Sequence, residues 1–162
     1  MRPALPAAVL RPHRSRLSLL ALLVCALLAL QVSVGSPEAT AATARERALV
    51  RLINKARHRK GRDPLKIQPK LVRLARRHTR KMVRKGELFH NRRLSSDLNA
   101  LGLSWSTAGE NVGRATSVKT LHRAFMDSVL HRRNNLNGAF KKVGVGIVVA
   151  SGIFWATVVF VG

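Results

Sequence analysis

Acidic side chains are scarce here: seven Asp and Glu stand against thirty Lys and Arg in 162 residues, a formal net charge of +23. A surface of that sign attracts polyanions, whether cell-wall polymers, anionic lipid or nucleic acid. The run of bases up to Lys85 has no aromatics interleaved to stack on bases, so no specific nucleic-acid partner is expected. A solvated basic face without a specific partner is the plainer alternative. Cysteine is nearly absent. Cys25 is the only one; bulky Val24 precedes it and the apolar run continues past it, which does not suit a lipoprotein cysteine. A chain that loses this segment has neither a disulfide nor a thiolate nucleophile, and must rest on its core. Two hydrolase signatures are missing as well, Gly-x-Ser-x-Gly and His-Glu-x-x-His. Ser95, Ser96, Ser104, Ser106 and Ser128 are available hydroxyls and His131 an available base, but nothing in the pattern brings nucleophile, base and oxyanion hole together. Repeats and low-complexity segments are also lacking.

What is present begins with a leader pattern. Arg2, Arg11, Arg14 and Arg16 stand in the first sixteen residues without an acid, and Leu17 to Val34 then carries no charge. Small-x-small sites follow at Ser33-Val34-Gly35, Ala39-Thr40-Ala41 and Ala42-Thr43-Ala44. A basic start, an apolar run and small residues behind it make a secretory signal, with cleavage expected near 35–44. An uncleaved membrane anchor is the alternative, since about 18 apolar residues just span a bilayer. The expected organisation is a signal peptide and short linker over 1–41 and one domain over 42–162, secreted or cell-wall associated. Four of the bases and one of the acids precede residue 42, so the domain keeps a net charge of +20.

Within 42–162 the spacing predicts a helix over 44–57, a turn at Arg62-Asp63-Pro64-Leu65, and a second helix over 69–85 stopped by Gly86. Arg73, Arg76, Arg77, Arg80, Lys81 and Arg84 cover the solvent side of that second helix, and His78 faces inward as a hydrogen-bonded core histidine. A short helix after Ser95 or Ser96 and a strand over 109–114 follow. Ser117 caps the next helix, whose apolar face is Val118, Leu121, Phe125, Met126 and Val129, with His122 at its edge. Ser128 to Leu136 is expected to leave the helix as a polar turn. Val143, Val145, Ile147 and Val149 alternate with Gly144, Gly146 and Val148, Ala150-Ser151-Gly152 makes a hairpin turn, and the apolar run 153–161 is a central strand. Helices first and an antiparallel sheet last give an α+β fold.

The candidate chemistry centres on Gly109-Glu110-Asn111. A rare carboxylate beside an amide, after a glycine that lets backbone approach closely, can accept from histidine or backbone donors or bind a cation. His90 upstream and His131 downstream are the residues to face it. A glycine turn with an exposed Glu is the bland alternative.

Taken together these residues resemble the bacterial secreted branch of the CAP superfamily (cysteine-rich secretory proteins, antigen 5, pathogenesis-related 1), also called SCP-like domains. The resemblance covers about 46–162. It rests on Leu52-Ile53-Asn54-Lys55-Ala56-Arg57, Pro64-Leu65, Leu74-Ala75 through His78 and Met82, Gly86-x-Leu88-x-His90-Asn91, Gly109-Glu110-Asn111-Val112, Phe125-Met126-x-Ser128-x-x-His131-Arg132-x-Asn134 and Val143-Gly144-Val145-Gly146. It implies an α-β-α sandwich with a central antiparallel sheet and a surface cleft. Many members line that cleft with two histidines and two glutamates, which bind a divalent metal in some. His90, Glu110 and His131 take three of those places; the second glutamate falls on Ser128, and the tryptophan three residues before it on Phe125. The implied cofactor is therefore a divalent ion, Zn, Mg or Ca, on His90, Glu110 and His131, with His78, Asn111 and Ser128 beside them. The competing reading is that the two histidines and Glu110 hydrogen-bond to one another and tie loop to helix. The expected function is a secreted, non-catalytic protein that binds a lipid or cell-envelope ligand in its cleft. The alternatives are a metal-dependent hydrolase of peptide or cell-wall substrates and a structural envelope protein.

Overall fold

In a computed structural model the described residues are 42–162, so the signal-peptide expectation lies outside them. Helix α1 (Ala44–His58) starts in a capping box. Thr43 Oγ1 accepts from the Glu46 backbone N–H, and the Glu46 carboxylate accepts from that of Thr43 at 2.6 Å. Leu49, Val50, Ile53 and Ala56 fill its inner stripe. The turn after it is held by Asn54, whose amide donates to Leu65 O and accepts from Leu65 N. A two-residue strand β1 (Lys66–Ile67) leads into α2 (Pro69–Lys85), which has proline at its start and Gly86 in the left-handed conformation at its end (φ 68°).

The short helix α3 (Leu94–Ala100) starts at Leu94, one residue ahead of the expected serines, with Arg93 at its cap and no side-chain cap bond. Strand β2 (Ala108–Ala115) precedes α4 (Val118–Asp127), which Ser117 caps as expected by accepting from Thr120 N. The polar turn expected over Ser128 to Leu136 is instead a helix, α5 (Val129–Leu136). Ser128, extended at ψ 125°, breaks the path between α4 and α5. Val129 therefore lies beyond the α4 stripe and faces solvent rather than the core.

Strands β3 (Lys142–Ala150) and β4 (Ile153–Val161) close the chain. Ser151 and Gly152 both take positive φ in the two-residue hairpin between them, which suits the twist of the strands it joins. The sheet order is β1-β3-β4-β2, so the apolar β4 is central as expected. The three long strands pair antiparallel, and β1 adds a short parallel edge to β3.

Strand alternation divides the domain into layers. Ala156, Val158 and Phe160 of β4 join Val143 and Val145 of β3 in a core with α1 and α4. Val159 and Val161 face the other way, onto α2 and Leu98 of α3. A third cluster, Met82, Val112 and Trp155, fills the far end under α2. The outcome is an α-β-α sandwich. Gly144 and Gly146 face α2, where a side chain would have no room: a Cβ on Gly144 would lie 2.1 Å from the Leu71 carbonyl carbon, and one on Gly146 2.3 Å from Arg76 N.

Two charged residues, Glu46 and Arg57, are fully buried. Glu46 receives Arg76 Nε at 2.7 Å and Nη2 at 2.6 Å, so Arg76 is not part of the solvated cover of α2. Burial works to raise the Glu46 pKa; the bonds from Arg76 and Thr43 outweigh it and hold the carboxyl below its ordinary range. Glu46 Oε1 also accepts from Ile147 N at 3.3 Å, which caps the edge of β3 beyond the reach of β1. Arg57 donates to four carbonyls: Asp63, Asn135, Asn137 and Phe140. Three hydrophobic clusters lie within the described residues.

Candidate functional site

Glu110 and Asn111 are consecutive on β2 and so point to opposite sides of it. Glu110 meets the segment that follows α2. Its Oε1 receives His90 Nδ1 at 2.9 Å and the Asn91 backbone N–H at 2.9 Å. An ionised carboxylate only accepts, so the imidazole donates. The Glu110 side chain is 5 % exposed and that of His90 61 %, which makes His90 the accessible member of the pair. Glu110 Oε2 is buried with no hydrogen-bond partner.

The segment carrying His90 is anchored from below. His78, buried on α2, donates from Nε2 to Phe89 O at 2.7 Å and meets the Phe89 ring edge-on at 5.1 Å. This is the hydrogen-bonded core histidine the helical face predicts; it holds the residue next to His90 and also lines the cleft beside it.

Asn111 turns to α5. Its Nδ2 donates to His131 O at 3.0 Å and Asn135 Oδ1 at 3.1 Å, while its Oδ1 accepts from Asn134 Nδ2 at 2.8 Å. Asn134 also donates to Glu110 O at 3.2 Å. Gly109 leaves space for this network, since a Cβ there would sit 2.8 Å from the Phe140 ring and 3.2 Å from Asn134 Oδ1. The His131 ring lies edge-on to Phe125 at 5.1 Å. Burial first, and then the charge of His90, push its pKa below the ordinary value for imidazole. Ser128 is the corner between α4 and α5, and its side chain makes no cap bond to α5.

The structure thus brings His90 against Glu110, hangs His131 by its backbone from Asn111, and leaves Ser128 as the corner between two helices. Asn135, fully buried, completes the network and was missed. The only sequence signal for it was an Asn pair in a stretch expected to be a turn.

Among the described residues no three His, Cys, Asp or Glu side chains converge to hold a metal ion. Glu110 Oε1 is taken up by His90 Nδ1 and Asn91 N, and no third ligand among the described residues joins the pair, so as they stand the donors do not fit the divalent ion the resemblance implies. The cleft next to them has a volume of about 410 Å³. It is lined by the bases Lys81, Lys85, Arg92 and Arg93, by His78, Phe89 and His90, and by Glu87 as the one acid. A larger groove of about 640 Å³ runs along α2, lined by Arg73, Arg76, Arg77 and Arg80 over Leu74, Ile147 and Val148. No helix among the described residues is long and apolar enough to cross a membrane.

Comparison with known proteins agrees with this architecture. The family model for CAP, the cysteine-rich secretory protein family, matches residues 50–161. YkwD of Bacillus subtilis (strain 168), itself uncharacterised, is 34 % identical over 125 residues, covering 74 % of this chain and 48 % of YkwD. The chain therefore spans about half the length of that relative. An extracellular SCP-domain protein from Bacillus anthracis superposes with a TM-score of 0.65 at 23 % identity, over 72 % of this chain and 40 % of the other. A cysteine-rich secretory protein from Staphylococcus aureus gives 0.61 at 27 % identity, over 72 % and 38 %.

Proposed function

The chain belongs to the CAP (cysteine-rich secretory protein) family, and from that premise we propose that it is an extracellular, non-catalytic binding protein whose cleft takes a lipid or another cell-envelope component. The cleft beside His90 carries this reading. Buried Glu110 holds the imidazole by one oxygen at 2.9 Å and so fixes its orientation. His90, the exposed member of the pair, is open to a ligand hydroxyl. The neighbouring bases Lys81, Lys85, Arg92 and Arg93 supply the complement for an anionic group. Anionic phospholipid headgroups and anionic envelope glycopolymers carry both features. The arginine-lined groove on α2 adds sequence-independent retention at an anionic envelope.

The test is equilibrium binding of the 42–162 domain to anionic phospholipid and to anionic cell-wall polymer, with His90→Ala, Glu110→Gln and His131→Ala alongside. Saturable binding at one site per chain is expected, without turnover. The first two variants should bind about tenfold more weakly, the equivalent of one lost hydrogen bond. Metal content is measured on the same samples. One divalent ion per chain, lost in all three variants and accompanied by hydrolysis of a peptide or cell-wall substrate, would replace the binding reading with the hydrolase one.

A further inference from the structure

Helix α5 is built inside out. Its inner side is polar: Asn135 is fully buried, Asn134 donates to Glu110 O and Asn111 Oδ1, and the carbonyl of His131 receives Asn111 Nδ2. Its outer side opens with Val129 and Leu130, 68 % and 72 % exposed, the most exposed large hydrophobic side chains among the described residues. Helices on soluble domains normally turn the opposite way, apolar in and polar out. This exposure is held in place. Ser128 ends α4 in an extended conformation, and Arg132 Nη1 donates back to Met126 O at 2.5 Å and Asp127 O at 3.3 Å, closing the end of α4. Turning Val129 and Leu130 inward would require α5 to abandon its asparagine network.

The two helices that meet at the pair carry more base than acid. Arg133 follows one turn along α5 on the same outer side, and Arg123 is exposed in the second half of α4. Asp127 is the one acid in the two helices. Apolar tips beside long basic side chains are the arrangement that seats a helix at a lipid interface, with the apolar atoms below the headgroups and the cations at the phosphates.

We propose that the α4–α5 corner is a membrane-inserting wedge: Val129 and Leu130 enter the headgroup–acyl boundary of an anionic bilayer while Arg123 and Arg133 meet the lipid phosphates. A second copy of this chain is a poorer occupant, because two corners meeting would bring four arginines together between strongly cationic domains. The wedge does not depend on what the cleft binds. It does place His131, on the inner side of the same helix, close to the lipid surface.

The 42–162 domain has no cysteine, so L130C takes a single polarity-sensitive fluorophore. With vesicles of phosphatidylglycerol and phosphatidylcholine the label is expected to shift to the blue, and with soluble polyphosphate it is not. The double variant V129S/L130S should lose about tenfold or more in vesicle affinity, keep its melting temperature, and bind polyphosphate as before. At vesicle concentrations that keep the protein bound, Glu110→Gln should leave the blue shift intact, which separates the wedge from the cleft. An unshifted label on vesicle-bound protein, or equal vesicle affinity of V129S/L130S, would reduce the contact to surface charge and overturn the proposal. So would a self-association in sedimentation that V129S/L130S abolishes while vesicles leave the label unshifted, since the occupant would then be a second copy.

Discussion

Gly144→Ala adds one methyl group at the tightest packing contact described above. The new carbon would stand 2.1 Å from the carbonyl carbon of Leu71 and 2.4 Å from its Cβ. Carbon atoms in contact rest about 3.5–4.0 Å apart, so the overlap exceeds an ångström. The obstacle is helix backbone, which cannot rotate aside as a side chain does, and α2 must lift from the sheet. A gap of about 0.5–1 Å forfeits roughly a quarter to a half of each dispersion contact across it. Leu71, Leu74 and Ala75 make such contacts with Val159 and Val161. Overpacking commonly costs about 1–3 kcal/mol and sometimes more; a backbone obstacle puts this change near about 3 kcal/mol, a large share of the 5–15 kcal/mol or so that a domain has. At about 3–5 °C per kcal/mol for this size, the melting temperature should fall by about 10 °C or more. The sign is diagnostic. Without the close approach, Gly→Ala in a compatible backbone stabilises by about 0.4–1 kcal/mol through the unfolded chain. Thermal unfolding by far-UV circular dichroism reads the difference, with Val149→Ala, partly exposed on the same strand, as a control of small effect. A Gly144→Ala variant melting within about 2 °C of the parent would refute the close seating of α2 on β3.

Arg57→Ala should cost about 3–5 kcal/mol in urea unfolding, because the carbonyls of Asn135 and Phe140 lose their donor in buried surroundings. Arg57→Lys should recover only part of that, since a point-like ammonium cannot replace the planar fork; full recovery would contradict the geometry. Acid should weaken the domain in two steps. Burial, followed by Arg59 for His122 and His90 for His131, holds both imidazoles below their ordinary value of 6.5. The unfolded chain therefore binds more protons than the folded one just below 6.5, so stability is full above that pH and drains as pH falls through the lower folded values. Glu46, lowered from 4.5, adds a second loss at lower pH as its pairing with Arg76 is protonated away. Melting temperatures from pH 8 to pH 3 trace both steps, and H122N/H131N should flatten the first; an unchanged profile would sink the assignment.

The sheet was legible because its pattern is simple. An unbroken apolar run has to be central, and valines alternating with glycines announce one face that packs and another that is approached. The His90–Glu110 contact was legible because a carboxylate is rare in so basic a chain. Helix α5 was not, since reading a helix depends on an apolar stripe facing inward and its inward side is asparagine and histidine. Glu46 and Arg57 were hidden for a related reason. Charged side chains default to solvent, and only the folded chain shows that each has a full set of partners. Strand β1, at two residues, is too short to leave a periodic trace.

The guanidinium of Arg57 joins the end of the first helix to the Asp63 turn and to the connection between α5 and β3, segments about eighty positions away in the chain. In many small exported domains that task falls to a disulfide. Here the clip is made of hydrogen bonds alone, and residues 42–162 hold no thiol at all. Its closure needs no oxidant, no isomerase and no particular compartment. The domain can complete its fold in a reducing or an oxidising medium alike, and dithiothreitol should leave its melting curve where it was.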